Sequence, residues 1–142
     1  MLNVRFGSIM SGISGMLPVL KALFSTGLGG SFGDGNIWFP WISLDDATDI
    51  VTRGVLDPAW SGPVNAVSPT ESRNRDLTAA LSTELRRPAF IPIPSIGPAI
   101  ILGRQGAQEL ALANQRVAPQ MLLDADHTFR YVSFLPFAWI GE

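Results

Sequence analysis

The chain contains no cysteine and only one histidine, one tyrosine and one lysine among its 142 residues. Without cysteine there is no disulfide, no thiolate nucleophile and no cysteine-bound zinc. With His127 as the sole histidine, a multi-histidine metal site is excluded too, so no metal is expected. Charge is scarce: 15% of residues are Asp, Glu, Lys or Arg, against roughly 25% in an average soluble domain. The net charge of -2 and a pI near 5.3 leave no basic footprint for nucleic acid. Long apolar runs are lacking as well. The longest uncharged stretches, 6–20 and 88–103, fall short of the ~20 residues a spanning helix needs. Pro18 interrupts the first, and Pro88, Pro92, Pro94 and Pro98 interrupt the second, so no membrane partner is expected. Arg5 precedes a glycine-rich stretch without a clear small-x-small cleavage site before Lys21, which argues against a secretory signal and makes the cytoplasm the expected location.

What is present is one domain's worth of chain, long enough to bury a core. So few charges poorly cover a free-standing domain, so part of the surface is expected to lie against a missing half, a subunit or a membrane, and the short proline-broken runs weaken the last of these.

Residues 2–9 read as a strand ending in a glycine turn, and 14–26 as a helix with Met16, Leu17, Leu20, Leu23 and Phe24 at helical spacing. A glycine loop at 27–35 ends in the turn signal Asp34-Gly35 and leads into a strand at 36–42. Ser43 fits a helix N-cap with Asp46 three residues on, and Asp45 and Asp46 suit the positive end of the helix dipole. That helix should run to Leu56 and stop at Asp57-Pro58. A short strand at 63–67 follows, then a helix at 74–86 with Leu77, Leu81 and Leu85 on one face and Asn74 as candidate cap. The proline-punctuated segment 88–98 must be extended or irregular. Helical runs near 99–114 and 118–125 and a last strand at 128–132 complete the reading.

The glycine loop does not cradle phosphate on this pattern, because no three of its glycines have Gly-x-Gly-x-x-Gly spacing and a strand follows it. Asp45 and Asp46, adjacent on a helix, do not face each other as an acid/base pair would, and read as capping residues. His127 has no Ser or Cys partner in sequence and reads as a partly buried histidine. Arg73, Arg75, Arg86 and Arg87 surround one helix, as a solvated face or an anion contact. Arg104 and Arg116 stand in an apolar tail and need partners, so each is a substrate clamp or half of a structural pair. Phe32, Trp38, Phe39 and Trp41 either pack the core or line a pocket for a planar or sugar-like ligand.

Several blocks in order carry a family resemblance: Val4-Arg5-Phe6-Gly7-Ser8-Ile9, Gly27-Leu28-Gly29-Gly30, Trp41-Ile42-Ser43-Leu44-Asp45-Asp46, Gly62-Pro63-Val64-Asn65-Ala66-Val67, Asn74-Arg75-Asp76-Leu77-Thr78 and Arg87-Pro88-Ala89-Phe90. The tail from Glu109-Leu110 to Arg116-Val117-Ala118-Pro119 looks like a small terminal domain of unknown function. Together they resemble the C-terminal half of an NAD(P)-dependent epimerase/dehydratase family protein, an extended short-chain dehydrogenase/reductase. The resemblance implies an α/β fold: part of a doubly wound, Rossmann-like sheet, with late parallel strands in residues 1–67 and a small, mostly helical substrate lobe in 68–142. It places Phe6, Gly7 and Ser8 where family members approach NAD(P), and makes Trp38, Trp41, Arg104 and Arg116 the substrate-side candidates.

The family's catalytic tyrosine and lysine have no counterpart here. Tyr131 and Lys21 are too far apart for Tyr-x-x-x-Lys, and no catalytic residue is expected in this chain. Gly103-Arg104-Gln105-Gly106 also departs from the acidic stretch that relatives usually carry there. The expected function is a truncated portion of a NAD(P)-dependent epimerase-like oxidoreductase acting on a small molecule. It would form the substrate side and be inactive alone, with no cofactor bound by this chain by itself and NAD(P) bound in the complete family protein. In that parent a tyrosine would exchange a proton while hydride moves to or from nicotinamide. The alternatives are a non-enzymatic, self-associating interaction module whose partner is the missing N-terminal half or a second copy, and a ligand-binding protein without chemistry that uses Trp38, Trp41 and Arg116.

Overall fold

The computed structural model describes residues 1–11, 16–25, 35–86 and 116–134. The N-terminal stretch, expected as one strand, forms two: β1 (Leu2–Phe6) and β2 (Ser8–Met10). β1 pairs in parallel with β4 (Gly62–Ala66), Val4 opposite Val64. β2 pairs in parallel with β3 (Trp41–Ser43), Ile9 opposite Ile42. The change of partner happens at Gly7. Its N–H donates to the Ala66 carbonyl at 3.2 Å, and the next N–H, of Ser8, donates to the Pro40 carbonyl at 2.9 Å. A Cβ at position 7 would lie 2.8 Å from the Pro40 oxygen and 3.0 Å from Val67 Cγ1. Only glycine allows the two backbones to approach this closely.

The strand expected over 36–42 is confined to Trp41–Ser43. Pro40 has no N–H to offer a ladder, and the residues before it are tied instead to the start of α3 (Asn74–Leu85). Phe39 N–H donates to the Ser72 carbonyl, Asn74 N–H to that of Ile37 and Arg75 N–H to that of Gly35, while Trp38 and Arg73 form an antiparallel bridge. Gly35 has φ 75°, the left-handed geometry that the Asp34-Gly35 signal asks for. The glycine loop up to Asp34, with Phe32, lies outside the described residues, as do Arg87, the proline segment and the helical run expected at 99–114.

Helix α2 (Leu44–Leu56) has the bounds its signals imply. The Ser43 hydroxyl accepts from Asp46 N–H at 3.0 Å and donates to Asp46 Oδ2 at 2.9 Å. Its inner face buries Ala47 and Ile50, and its outer face leaves Val51, Val55 and Leu56 exposed. Helix α3 differs from expectation at its cap. Asn74 is its first helical residue and is buried, while Arg73 precedes it and Asp76 Oδ2 accepts the Arg73 N–H at 2.7 Å. A carboxylate at N3 thus satisfies the N–H of the residue that precedes the helix, the reciprocal half of a capping box. Leu77, Ala80 and Leu81 are its buried face, with Leu85 half-buried, and α1 (Met16–Ser25) packs against α3, burying Leu17 and Leu20.

The core comprises Ile42, Ala47, Ile50, Trp60, Val64, Ala66 and, from the distant helix α4 (Gln120–Asp124), Leu122. α4 begins only after Pro119, shorter than the run expected at 118–125. The strand expected at 128–132 does not form. Its backbone meets a side chain rather than a ladder: the N–H groups of Arg130 and Tyr131 donate to Asp46 Oδ1 and Oδ2 at 2.7 and 3.1 Å. Beyond them Phe134 stacks on Trp41, ring centroids 4.5 Å apart. Among the described residues no helix is long and apolar enough to cross a membrane.

Two substitutions report on these constraints. Gly7→Ala forces a methyl against a backbone carbonyl and should lower the unfolding free energy by about 1–3 kcal/mol in urea titration. Asp46→Ala leaves two half-buried N–H groups and a buried hydroxyl without their acceptor. It should cost about 2–4 kcal/mol and abolish hydrogen-exchange protection at Arg130 and Tyr131.

Candidate functional site

At the carboxyl ends of β1 and β4 the chain forms a shallow depression with ≈ 220 Å³ of space, part of it open to solvent. Trp38, Pro40, Trp41 and Val67 give it an apolar wall, Ser68, Thr70 and Ser72 supply hydroxyls, and Glu71 and Arg116 face it with opposite charges. The position follows from the fold, because the strand ends of an open parallel sheet are where the backbone leaves concave space for a ligand. β2 and β3 begin where β1 ends, so Trp41 is at once the first residue of a ladder and a wall of the depression.

Each candidate among the described residues has a definite place. Gly7 abuts Pro40 and Val67, and Ser8 pairs with Trp41, so both adjoin the wall residues. The space a side chain would take at Gly7 is filled by this chain's own backbone, so the glycine serves the strand crossing. Phe6, at the end of β1, leaves its ring 43% exposed. Trp41 is buried under Phe134, whereas Trp38 is half-buried and carries two guanidinium groups near its ring, Arg73 at 4.2 Å and Arg116 at 5.4 Å from the centroid. Arg116 finds its partner in Glu71, Nε to Oε2 at 2.7 Å. Arg104 lies outside the described residues. Phe39 is fully buried, a core residue rather than a wall.

The other charged candidates are structural. Arg73 and Arg75 donate to the Asn36 carbonyl and to its side-chain oxygen. Asp46 binds the segment at 130–131, and Asp49 pairs with Arg130 at 2.7 Å. The roles of Glu71, Ser68 and Val117 had no sequence signal, since each depends on contacts across dozens of residues. Among the described residues no group of three His, Asp or Glu side chains is placed to hold a metal. No strand–glycine–helix cradle for a pyrophosphate occurs there either.

Residues 93–134 match the family described as Domain of unknown function (DUF1731). Epimerase family protein Mb2239 of Mycobacterium bovis is 34% identical over 89% of this chain. The sequence matches the C-terminal part of the epimerase family proteins. The chain spans about two fifths (42%) of the length of that relative. Among solved structures, the human epimerase family protein SDR39U1, determined with NADPH, is 31% identical with a TM-score of 0.82, covering 94% of this chain and 45% of that one. A nucleoside-diphosphate sugar epimerase from Corynebacterium glutamicum is 44% identical with a TM-score of 0.72, covering 96% of this chain and 25% of that one. The α/β architecture with parallel strands is that of these Rossmann-like epimerase structures.

As the Arg116–Glu71 pair is exposed, its contribution to folding is small. Arg116→Ala should therefore change the unfolding free energy by less than about 0.5 kcal/mol. It should still alter the fluorescence of Trp38, and a Trp38→Phe background should abolish that change.

Proposed function

We propose that this chain is the substrate-side portion of a NAD(P)-dependent epimerase-like oxidoreductase, carries no catalytic acid or base of its own, and is inactive alone. The observation that carries this reading is the likeness to the human SDR39U1 structure over 94% of the chain, with the depression at the strand ends. Residues 1–67 are the late part of the nucleotide-binding-type sheet, and 68–142 the lobe that closes over a small-molecule substrate. The two units share a core through Leu122. Trp38, Trp41 and Arg116 face the substrate, and Arg104 is a further substrate-side candidate from the sequence. Phe6, Gly7 and Ser8 lie along the cofactor's edge, and the phosphates are held by the N-terminal portion that the longer relatives possess. When bound there, NAD(P) supplies hydride transfer. This chain's residues shape the wall, present a guanidinium beside an indole and keep water from one side. The expected location is the cytoplasm.

A second reading is a self-associating module, for which one feature speaks: Asn3, Arg5 and Phe6 are exposed on β1, and among the described residues β1 has a strand on one side only. Calorimetric titration of the chain with NADPH and with NADH, with solution mass measured on the same sample, separates the possibilities. The expected result is no binding of either nucleotide. Binding in the micromolar range would overturn the reading, since the chain would then build a nucleotide site without a glycine cradle. A stable dimer without nucleotide binding would favour the module.

A further inference from the structure

His127 occupies a pocket that suits a neutral imidazole and not a charged one. Its ring meets Trp60 edge-on at 6.0 Å and Phe129 at 5.0 Å and 88° between ring planes. Its Nε2 is shut off from solvent and has no hydrogen-bond partner among the described residues. Facing it from α2 are Arg53, whose guanidinium covers Trp60 at 4.6 Å from the ring centroid, and the carboxylates of Asp46 and Asp49. Both carboxylates are already committed, Asp46 to Ser43 and the N–H groups of Arg130 and Tyr131, and Asp49 to the Arg130 guanidinium. Trp60 and Phe129 bring no charge. Protonation would place a second cation beside Arg53 and make both ring nitrogens N–H donors, with Nε2 buried and without an acceptor.

The same histidine sits in the middle of a strap, residues 119–134, that leads to the depression. The strap is fastened at Ala125, whose carbonyl accepts from Arg53 at 3.3 Å, and at Arg130–Tyr131 on Asp46. Further along, Val132 accepts from the Ser68 hydroxyl at 3.0 Å, and Phe134 covers Trp41. Ser68 and Trp41 both line the depression. We propose that His127 is a proton-operated latch: neutral, it seats the strap; protonated, it lifts the strap from α2 and uncovers the Trp41 wall of the depression.

Burial first, and the positive charge of Arg53 second, push the imidazole below its ordinary value of 6.5, while Asp46 and Asp49 pull the other way without reversing the shift. A folded-state pKa below the unfolded one means that the native chain binds fewer protons. The stability from a seated strap is therefore complete above about pH 6.5 and is lost as pH falls through that value toward the folded pKa. This is the chain's single histidine, and it has no cysteine, so between about pH 7 and pH 5 no other side chain of ordinary pKa titrates.

The test is an NMR titration of the His127 ring with amide-exchange protection at Arg130 and Tyr131, measured at about pH 7 and pH 5.5. The expected result is a ring pKa below 6.5 and a loss of about tenfold or more in protection at the lower pH, accompanied by a change in tryptophan fluorescence. His127→Phe and His127→Gln, neutral throughout, should keep their protection across the same interval. A ring pKa at or above 6.5 in the unaltered chain overturns the proposal, even where the variants fold poorly. So does an equal loss of protection in a folded variant, or unchanged protection in the unaltered chain as the ring titrates.

Discussion

The carboxylate of Asp46 holds the described structure together. It stands in the first turn of α2, fully buried, and takes three hydrogen bonds from two regions of sequence: the Ser43 hydroxyl beside it and the backbone N–H groups of Arg130 and Tyr131, more than eighty residues away. Burying a carboxylate is costly unless its lone pairs are filled. Here the filling partners are main-chain donors that would otherwise be half-buried without a ladder. Each side thus requires the other. The helix start fixes where the strap lies, the strap carries Phe134 onto Trp41, and Trp41 forms one wall of the depression.

Scarcity of charge acts in the same direction. The few ionic groups available, with a hydroxyl beside them, anchor irregular backbone: Asp46 at 130–131, Asp76 at the Arg73 N–H, Arg73 at the Asn36 carbonyl and Ser68 at Val132. The exposed ion pairs, Arg116–Glu71 and Arg130–Asp49, then add orientation more than stability. The depression inherits this economy, with indoles and a proline for its wall, hydroxyls on its floor and one pair of opposite charges.

How much was legible in the chain alone follows the range of the forces involved. Helix α2 is readable from its ends, because Ser43, Asp46 and Asp57-Pro58 act within a turn of where they stand. β4 and the buried face of α3 were readable for the same reason. Trp38, Trp41 and Arg116 were named, and they do line one depression. Asp46 was read only as a local cap, since nothing near it in sequence announces a partner at 130. The strand expected at 128–132 fails for the same reason: the N–H groups of Arg130 and Tyr131 meet a carboxylate and not a neighbouring strand. Glu71 as the counter-ion of Arg116 was invisible likewise, as the pairing exists only after α3 has docked on Ile37 and Phe39.

The change of ladder at Gly7 has a consequence for the order of assembly. Residues 2–10 find no partner among their near neighbours: β2 waits for Trp41–Ser43 and β1 for Gly62–Ala66. Both closures are parallel and long, with a helix or a loop between the strands, so each must bear a large loop entropy before any hydrogen bond is gained. Because a single glycine joins the two ladders, neither can zip far in the wrong register without displacing the other. The segment is thus a late arrival with a built-in register check, and until it arrives the underside of α2 and the flank of β4 remain open to water.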